Sequence, residues 1–225
     1  MSDNTLMLRH AADPASPAVQ PLPAGPTGLV LGRVQDGSVA TVPMFRPERT
    51  RIALIGKLAL GRLLVFRALA MGARVVVRTE SPAHWQGLGE WATGRSDRLW
   101  LMTEGNVVPP IPSDATQPAL IVLDLGSAAL SVTTPEQPWH TRLTLLPDLS
   151  VSNARTVADA DAYVFSRLTA EEVSVAVSSL RLPVRAVDPL AVLNPDMVGV
   201  VQADAASYVW LTPTATERQH LGLTT

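Results

Sequence analysis

Eight consecutive residues of the chain have the spacing of an anion cradle. Gly56-Lys57-Leu58-Ala59-Leu60-Gly61-Arg62-Leu63 sets two glycines five positions apart with a cation directly after the second. A phosphate-binding loop of the form G-x-x-x-x-G-K-[ST] wraps backbone N–H groups round a β-phosphate, aims a cation at the β and γ oxygens, and puts a hydroxyl on magnesium. Here the cation position is Arg62 and the hydroxyl position is Leu63, which cannot ligate a metal. Lys57 stands one residue into the stretch, and the interior Lys57-Leu58-Ala59-Leu60 carries no glycine and three apolar side chains suited to packing. The same two glycines would equally serve a tight turn from a strand into a core helix, and both readings stay open. The cofactor-binding candidates are therefore Gly56, Gly61 and Arg62.

A fourth candidate lies downstream. Ala119-Leu-Ile-Val-Leu-Asp124 is an apolar strand ending in an acid, the position from which a carboxylate can hold magnesium. An acid there is also a common turn residue. Leu125 follows, where a water-activating glutamate would be needed, so no general base is evident and no catalytic residue is assigned. With no cysteine and four scattered histidines (His10, His84, His140, His220), thiolate chemistry is excluded and no metal centre is expected.

The elements that would position these residues follow from the apolar pattern. Residues 1–27 hold Pro14, Pro17, Pro21, Pro23 and Pro26 among alanine, serine and glycine, and read as a flexible lead-in or an extended arm. Leu29–Gly32 and Ser38–Val42 flank Asp36-Gly37, a strong hairpin signal. Arg51–Ile55 reads as a strand buried on both faces, Leu58–Met71 as a helix closed by Gly72, and Arg74–Arg78 as the next strand. Strand–helix–strand in so few residues predicts a parallel sheet. Further strands are expected at Leu99–Thr103, Ala119–Asp124, Arg142–Leu146 and Ala162–Ser166, the second of these after the break Pro109-Pro110-Ile111-Pro112. Thr169-Ala-Glu-Glu172 has the form of a capping box opening a helix to Leu180. Met197–Val201 and Ser207–Leu211 form a closing hairpin around Ala203-Asp204. The fold class is α/β, mainly parallel, with flanking helices and hairpins at both ends of the chain.

Composition sets the outer bounds. The chain has 225 residues, 47% hydrophobic and 17% charged, enough to bury a core without crosslinks. A net charge of −2 gives no electrostatic case for nucleic acid. Of 18 basic residues only Lys57 is lysine, a skew expected of coding bias. The apolar stretch Ile52–Val77 is broken by Lys57, Arg62, Arg67 and Arg74, so it is no membrane span. With no visible secretory signal, the expected location is cytoplasmic.

In order along the chain, these pieces resemble the FtsK/SpoIIIE-type ATPase domain, including the EccC ATPases of type VII secretion. Gly28-Leu-Val-Leu-Gly32 with Asp36-Gly37 is similar to the strand pair before the phosphate loop, Arg51–Leu64 to the strand, loop and helix start, and Leu120–Asp124 to the strand of the second nucleotide motif. Thr144-Leu-Leu-Pro147 stands where the family has a sensor strand, without its usual glutamine. Residues 196–201 and 209–217 are similar to the closing hairpin. The resemblance implies a RecA/FtsK-like P-loop domain over 28–218 with a tail at 219–225. The departures fall on catalytic positions: Arg62, Leu63, Leu125 and the missing glutamine. They imply a degenerate module, a pseudo-ATPase that binds no required cofactor and serves a secretion or translocation machine as scaffold or regulator. Its partners would be proteins of that machine or further copies of itself. Weak nucleotide binding or NTPase activity is the alternative. A Rossmann-like dinucleotide binder, with Glu80 as the ribose acid, is a third reading, although no G-x-G-x-x-G follows a strand. Trp85, Trp91, Trp100 and Trp139 are candidates for partner contact or for core packing.

Overall fold

The computed structural model describes residues 28–203 and 205–223; the lead-in and Asp204 of the closing turn lie outside the described residues. One ten-stranded sheet forms the centre. Its strands are β1 (Leu29–Arg33), β2 (Val39–Val42), β3 (Thr50–Ile55), β4 (Arg74–Thr79), β5 (Leu99–Met102), β6 (Ala119–Asp124), β7 (His140–Leu146), β8 (Ala162–Phe165), β9 (Met197–Gln202) and β10 (Ala205–Leu211). Their order is β2-β1-β10-β9-β8-β3-β7-β6-β4-β5. The block from β8 to β5 is parallel, and the remaining pairs are antiparallel. The first and last hairpins, distant in sequence, meet through β1 and β10 and extend the parallel block on one side.

The parallel strands are nearly continuous runs of apolar residues because both faces are covered. Ile52, Leu54, Val75, Val77, Leu120 and Val122 point to one face, under helix α1 (Leu58–Ala70). Ala53, Ile55, Phe165 and Val201 point to the other, under α3 (Ala170–Ser178) and α4 (Val184–Val187). Between α1 and α3 the chain also forms α2 (Leu88–Thr93), and it closes with α5 (Ala215–Leu221). Helix α1 is apolar nearly all round, because α2 and α5 pack on it as well as the sheet. The Thr169–Glu172 capping box is present, and α3 stops at Ser178, two residues before Leu180.

α5 carries ordered helix past residue 218, and its Leu221 is buried in the core. A second capping box, Thr214 with Glu217, starts it. Glu217 Oε1 also accepts from Arg67 Nε at 2.6 Å and its Oε2 from Arg67 Nη2 at 3.0 Å. The same guanidinium donates to the carbonyls of Val30, Leu31 and Thr212. One largely buried cation thus ties α1, the first hairpin and the closing segment together.

Candidate functional site

In a parallel sheet, ligands bind outside the carboxyl ends of the strands. β3, β4, β6, β7 and β8 deliver Gly56, Glu80, Asp124, Pro147 and Ser166 to that edge.

The first junction is short. β3 ends at Ile55 and α1 begins at Leu58, so Gly56 and Lys57 alone connect them. Gly56 N–H donates to the Leu146 carbonyl at 2.9 Å, and the Ser166 N–H donates to the Ile55 carbonyl at 2.9 Å, so the ladder continues past the strand ends. Gly56 has φ +145°, and a Cβ on it would stand 2.1 Å from Ser166 Oγ. Glycine is required by the backbone and by the side chain of β8's end filling that space. Leu58, Ala59 and Leu60 form the first turn of the helix, and Gly61 is a buried helical residue. A Cβ on Gly61 would approach Leu145 to 3.0 Å, so this glycine brings α1 close to β7. The two glycines take the places that a tight strand-to-helix turn demands.

Lys57 is the N-cap of α1, is exposed, and makes no side-chain capping bond; the first turn contains no acid. Its charge sits at the positive end of the helix dipole. Arg62, on the next turn, is half-buried; its Nε is buried without a hydrogen-bond partner, and burial pushes its pKa below the usual arginine value.

Asp124 sits across the sheet from this junction and is engaged in hydrogen bonds. Its Oδ2 accepts from Thr79 Oγ1 at 2.9 Å and from Trp85 Nε1 at 2.8 Å. Thr79 Oγ1 in turn accepts from the Ser81 N–H at 2.9 Å. Register explains the first contact, because Thr79 and Asp124 are directly paired at the ends of β4 and β6. Trp85 explains the second: it is fully buried, and a buried indole N–H needs an acceptor. The carboxylate joins two strand ends to the turn that carries Trp85.

Elsewhere on this edge, Asp148 follows Pro147 and accepts from Asn153 Nδ2 at 3.2 Å. Arg167 Nε donates to the Ala191 carbonyl at 2.9 Å. Glu80 is exposed. Gly56, Gly61 and Arg62 are neighbours along one junction, while β7 separates β3 from the strand ending in Asp124. No group of three or more His, Cys, Asp or Glu residues among the described residues has the arrangement of a metal site, and no described helix is long and apolar enough to cross a membrane.

The four tryptophans singled out above divide. Trp85 is core; Trp91 stacks on His220 with ring centroids 5.2 Å apart; Trp139 is half-buried; Trp100 is 43% exposed. Sequence spacing missed Thr79 and Trp85 as partners of Asp124. The signal available was the burial of so large an indole, which obliges an acceptor.

No family model matches the chain, and no curated protein matches it. Several solved structures share its fold. VirB4 of Thermoanaerobacter pseudethanolicus superposes with TM-score 0.53 at 10% identity, over 86% of this chain and 98% of that one. The pCW3 conjugation coupling protein TcpA, in a monomer form with ATPγS, gives 0.53 at 9% identity over 81% of this chain and 64% of that one. The cytoplasmic domain of the Thermomonospora curvata type VII secretion ATPase EccC gives 0.53 at 12% identity, over 81% of this chain and 28% of that one. At these identities the likeness is one of fold: a mixed α/β domain with a large, mostly parallel sheet and flanking helices.

Proposed function

We propose that this chain is a P-loop NTPase-like module that does not hydrolyse nucleotide and acts as a scaffold or regulatory component of a secretion or translocation machine. The observation that carries the reading is the start of α1 only two residues after β3. With Leu58–Leu60 in the first helical turn and Gly61 packed on Leu145, few backbone N–H groups are left to surround a phosphate. Two further placements weigh against a bound magnesium nucleotide. Asp124 already holds Trp85 and Thr79 through its Oδ2, and Leu63 is a buried core residue where a hydroxyl would be needed. The role in a larger machine is drawn from the fold neighbours, a conjugation coupling protein and a type VII secretion ATPase among them.

Weak nucleotide binding is the second reading, favoured by one feature: the buried, unpartnered Nε of Arg62 close to the uncapped start of α1. Isothermal titration of the full chain with ATP and ADP, with and without magnesium, separates the two. The expected result is no heat of binding at millimolar nucleotide. Sub-millimolar affinity that disappears in Arg62→Ala would overturn the proposal and establish the second reading.

A further inference from the structure

The crossover from β5 to β6, residues 103–118, contains no helix. Pro109, Pro110 and Pro112 prevent one, since proline removes donors and clashes with the preceding turn. In a layered α/β fold that crossover should cover the sheet. Here Val108 and Ile111 cover β6 and Val76 of β4, but β5 is left partly open, with Trp100 exposed. The result is a groove of about 760 Å³, floored by Val76, Trp100 and Met102 and walled by Pro109–Pro112. Register puts Trp100 beside Val76 on the same face.

The wall is fixed. Arg78 Nε donates to the Gly105 carbonyl at 2.8 Å, and Arg74 Nη1 to the Pro112 carbonyl at 2.9 Å. His140 Nε2 lies 2.9 Å from the Ile111 carbonyl, which makes that nitrogen the donor. The Val108 N–H donates to Thr133 and the Thr133 N–H to Asn106. A groove held this way is preformed, so little ordering cost opposes binding.

Charge and edge geometry select the occupant. Three guanidiniums, Arg74, Arg95 and Arg98, rim the groove against one carboxylate, Asp97. Asp97 pairs with Arg95 and Arg74 is held by Pro112 and Gln117, while Arg98 makes no salt bridge among the described residues. β5 is the last strand of the sheet, and its outer edge pairs with no strand among the described residues. An unpaired edge is a template for another strand. By contrast, the cavity of about 500 Å³ beside Tyr208 and Trp210 is lined by no charged side chain and selects no partner chemistry.

We propose that the β4–β5 groove docks an acidic, extended segment of a partner protein. The segment adds to the edge of β5, sets alternate apolar side chains against Trp100, and points its carboxylates at Arg98. This deepens the scaffold reading and rests on it for the role alone. The groove lies apart from the first junction, so nucleotide titration can fail that reading while peptide binding stands.

The test is fluorescence anisotropy of the full chain with capped, labelled hexapeptides in which glutamate alternates with valine, leucine or phenylalanine, and with their lysine-for-glutamate counterparts. At least one glutamate peptide is expected to bind, and its lysine counterpart to bind about tenfold more weakly or not at all. Affinity should fall about tenfold in Arg98→Glu and in Trp100→Ala, with both variants retaining the circular dichroism of the parent. Methylating alternate backbone amides of the best peptide should weaken it by a similar factor, because strand addition needs those donors. The proposal is overturned if no glutamate peptide binds, if lysine peptides bind as well, or if methylation has no effect. It is also overturned if Trp100→Ala instead breaks a self-association, which would assign the groove to a second copy.

Discussion

Two regions of this molecule invite a ligand for opposite reasons. At the carboxyl ends of β3 and β6 stand the residues whose types suit phosphate chemistry, yet Asp124 and the two glycines are engaged within the fold. Asp124 holds Thr79 and Trp85, Gly56 admits the Ser166 side chain, and Gly61 admits Leu145. Over β4 and β5 no sequence motif points to chemistry, yet a half-exposed tryptophan, the Arg98 guanidinium and an unpaired strand edge remain available. Residue type alone identifies the first region; a surface that the fold leaves uncovered identifies the second. A buried polar group that already has its partners contributes to stability, whereas an uncovered preformed surface is free to bind.

Substitutions sharpen the contrast, because the first region should respond in stability and the second in binding. The largest effect belongs to the closing segment. Glu217→Ala strands the largely buried Arg67 guanidinium, and unfolding in denaturant should show a loss of about 3–5 kcal/mol. Trp85→Ala comes next, about 3–5 kcal/mol for the lost volume of a fully buried indole, with Trp85→Phe cheaper because the ring packing is largely retained. Asp124→Ala leaves two buried donors without an acceptor and should cost about 2–3 kcal/mol. If Asp124 served only a metal, that variant would keep its stability. Trp100→Ala is the smallest, within about 0.5 kcal/mol of the parent, since the side chain is 43% exposed.

Acid unfolding adds a pH-dependent check. Burial raises the Glu217 pKa, but hydrogen bonds from Arg67 and Thr214 and the Arg67 charge outweigh it and hold the carboxyl below the usual glutamate range. A depressed folded-state pKa contributes stability that is fully present above the unfolded value, about 4.3, and is lost as pH falls through the lower folded value. The parent should therefore lose stability across that acid window, and Glu217→Gln should lose less over the same window while being less stable at neutral pH. Parallel titration curves for the two proteins would break the assignment.

Much of the frame was legible in the sequence, because strands buried on both faces and helices with capping residues leave local signals. Arg51–Ile55, Ala119–Asp124, the Asp36-Gly37 hairpin and the Thr169–Glu172 box all sit where local chemistry placed them. The short helix α2 escaped notice because Gly87 and Gly94 bound it and six residues give little periodicity. The role of Gly61 was undetermined for a different reason: a glycine admitting a phosphate and one admitting a leucine have the same spacing. Trp85 and Asp124 are 39 positions apart, and only the β4–β6 register brings them together. The groove was invisible for the same reason. It arises from a crossover without a helix lying beside an edge strand, and sequence gives the first of these facts but not the second.

The central claim is that the β3–α1 junction packs α1 onto the sheet and does not bind nucleotide. Thermal unfolding of the full chain with increasing magnesium ATP tests it most directly. A ligand bound only by the folded state stabilises it by about 2.7 kcal/mol at one hundred times its Kd. The expected result is a Tm independent of ATP up to millimolar concentration, in the parent and in Arg62→Ala alike. A Tm that rises with ATP in the parent and stays flat in Arg62→Ala would contradict it.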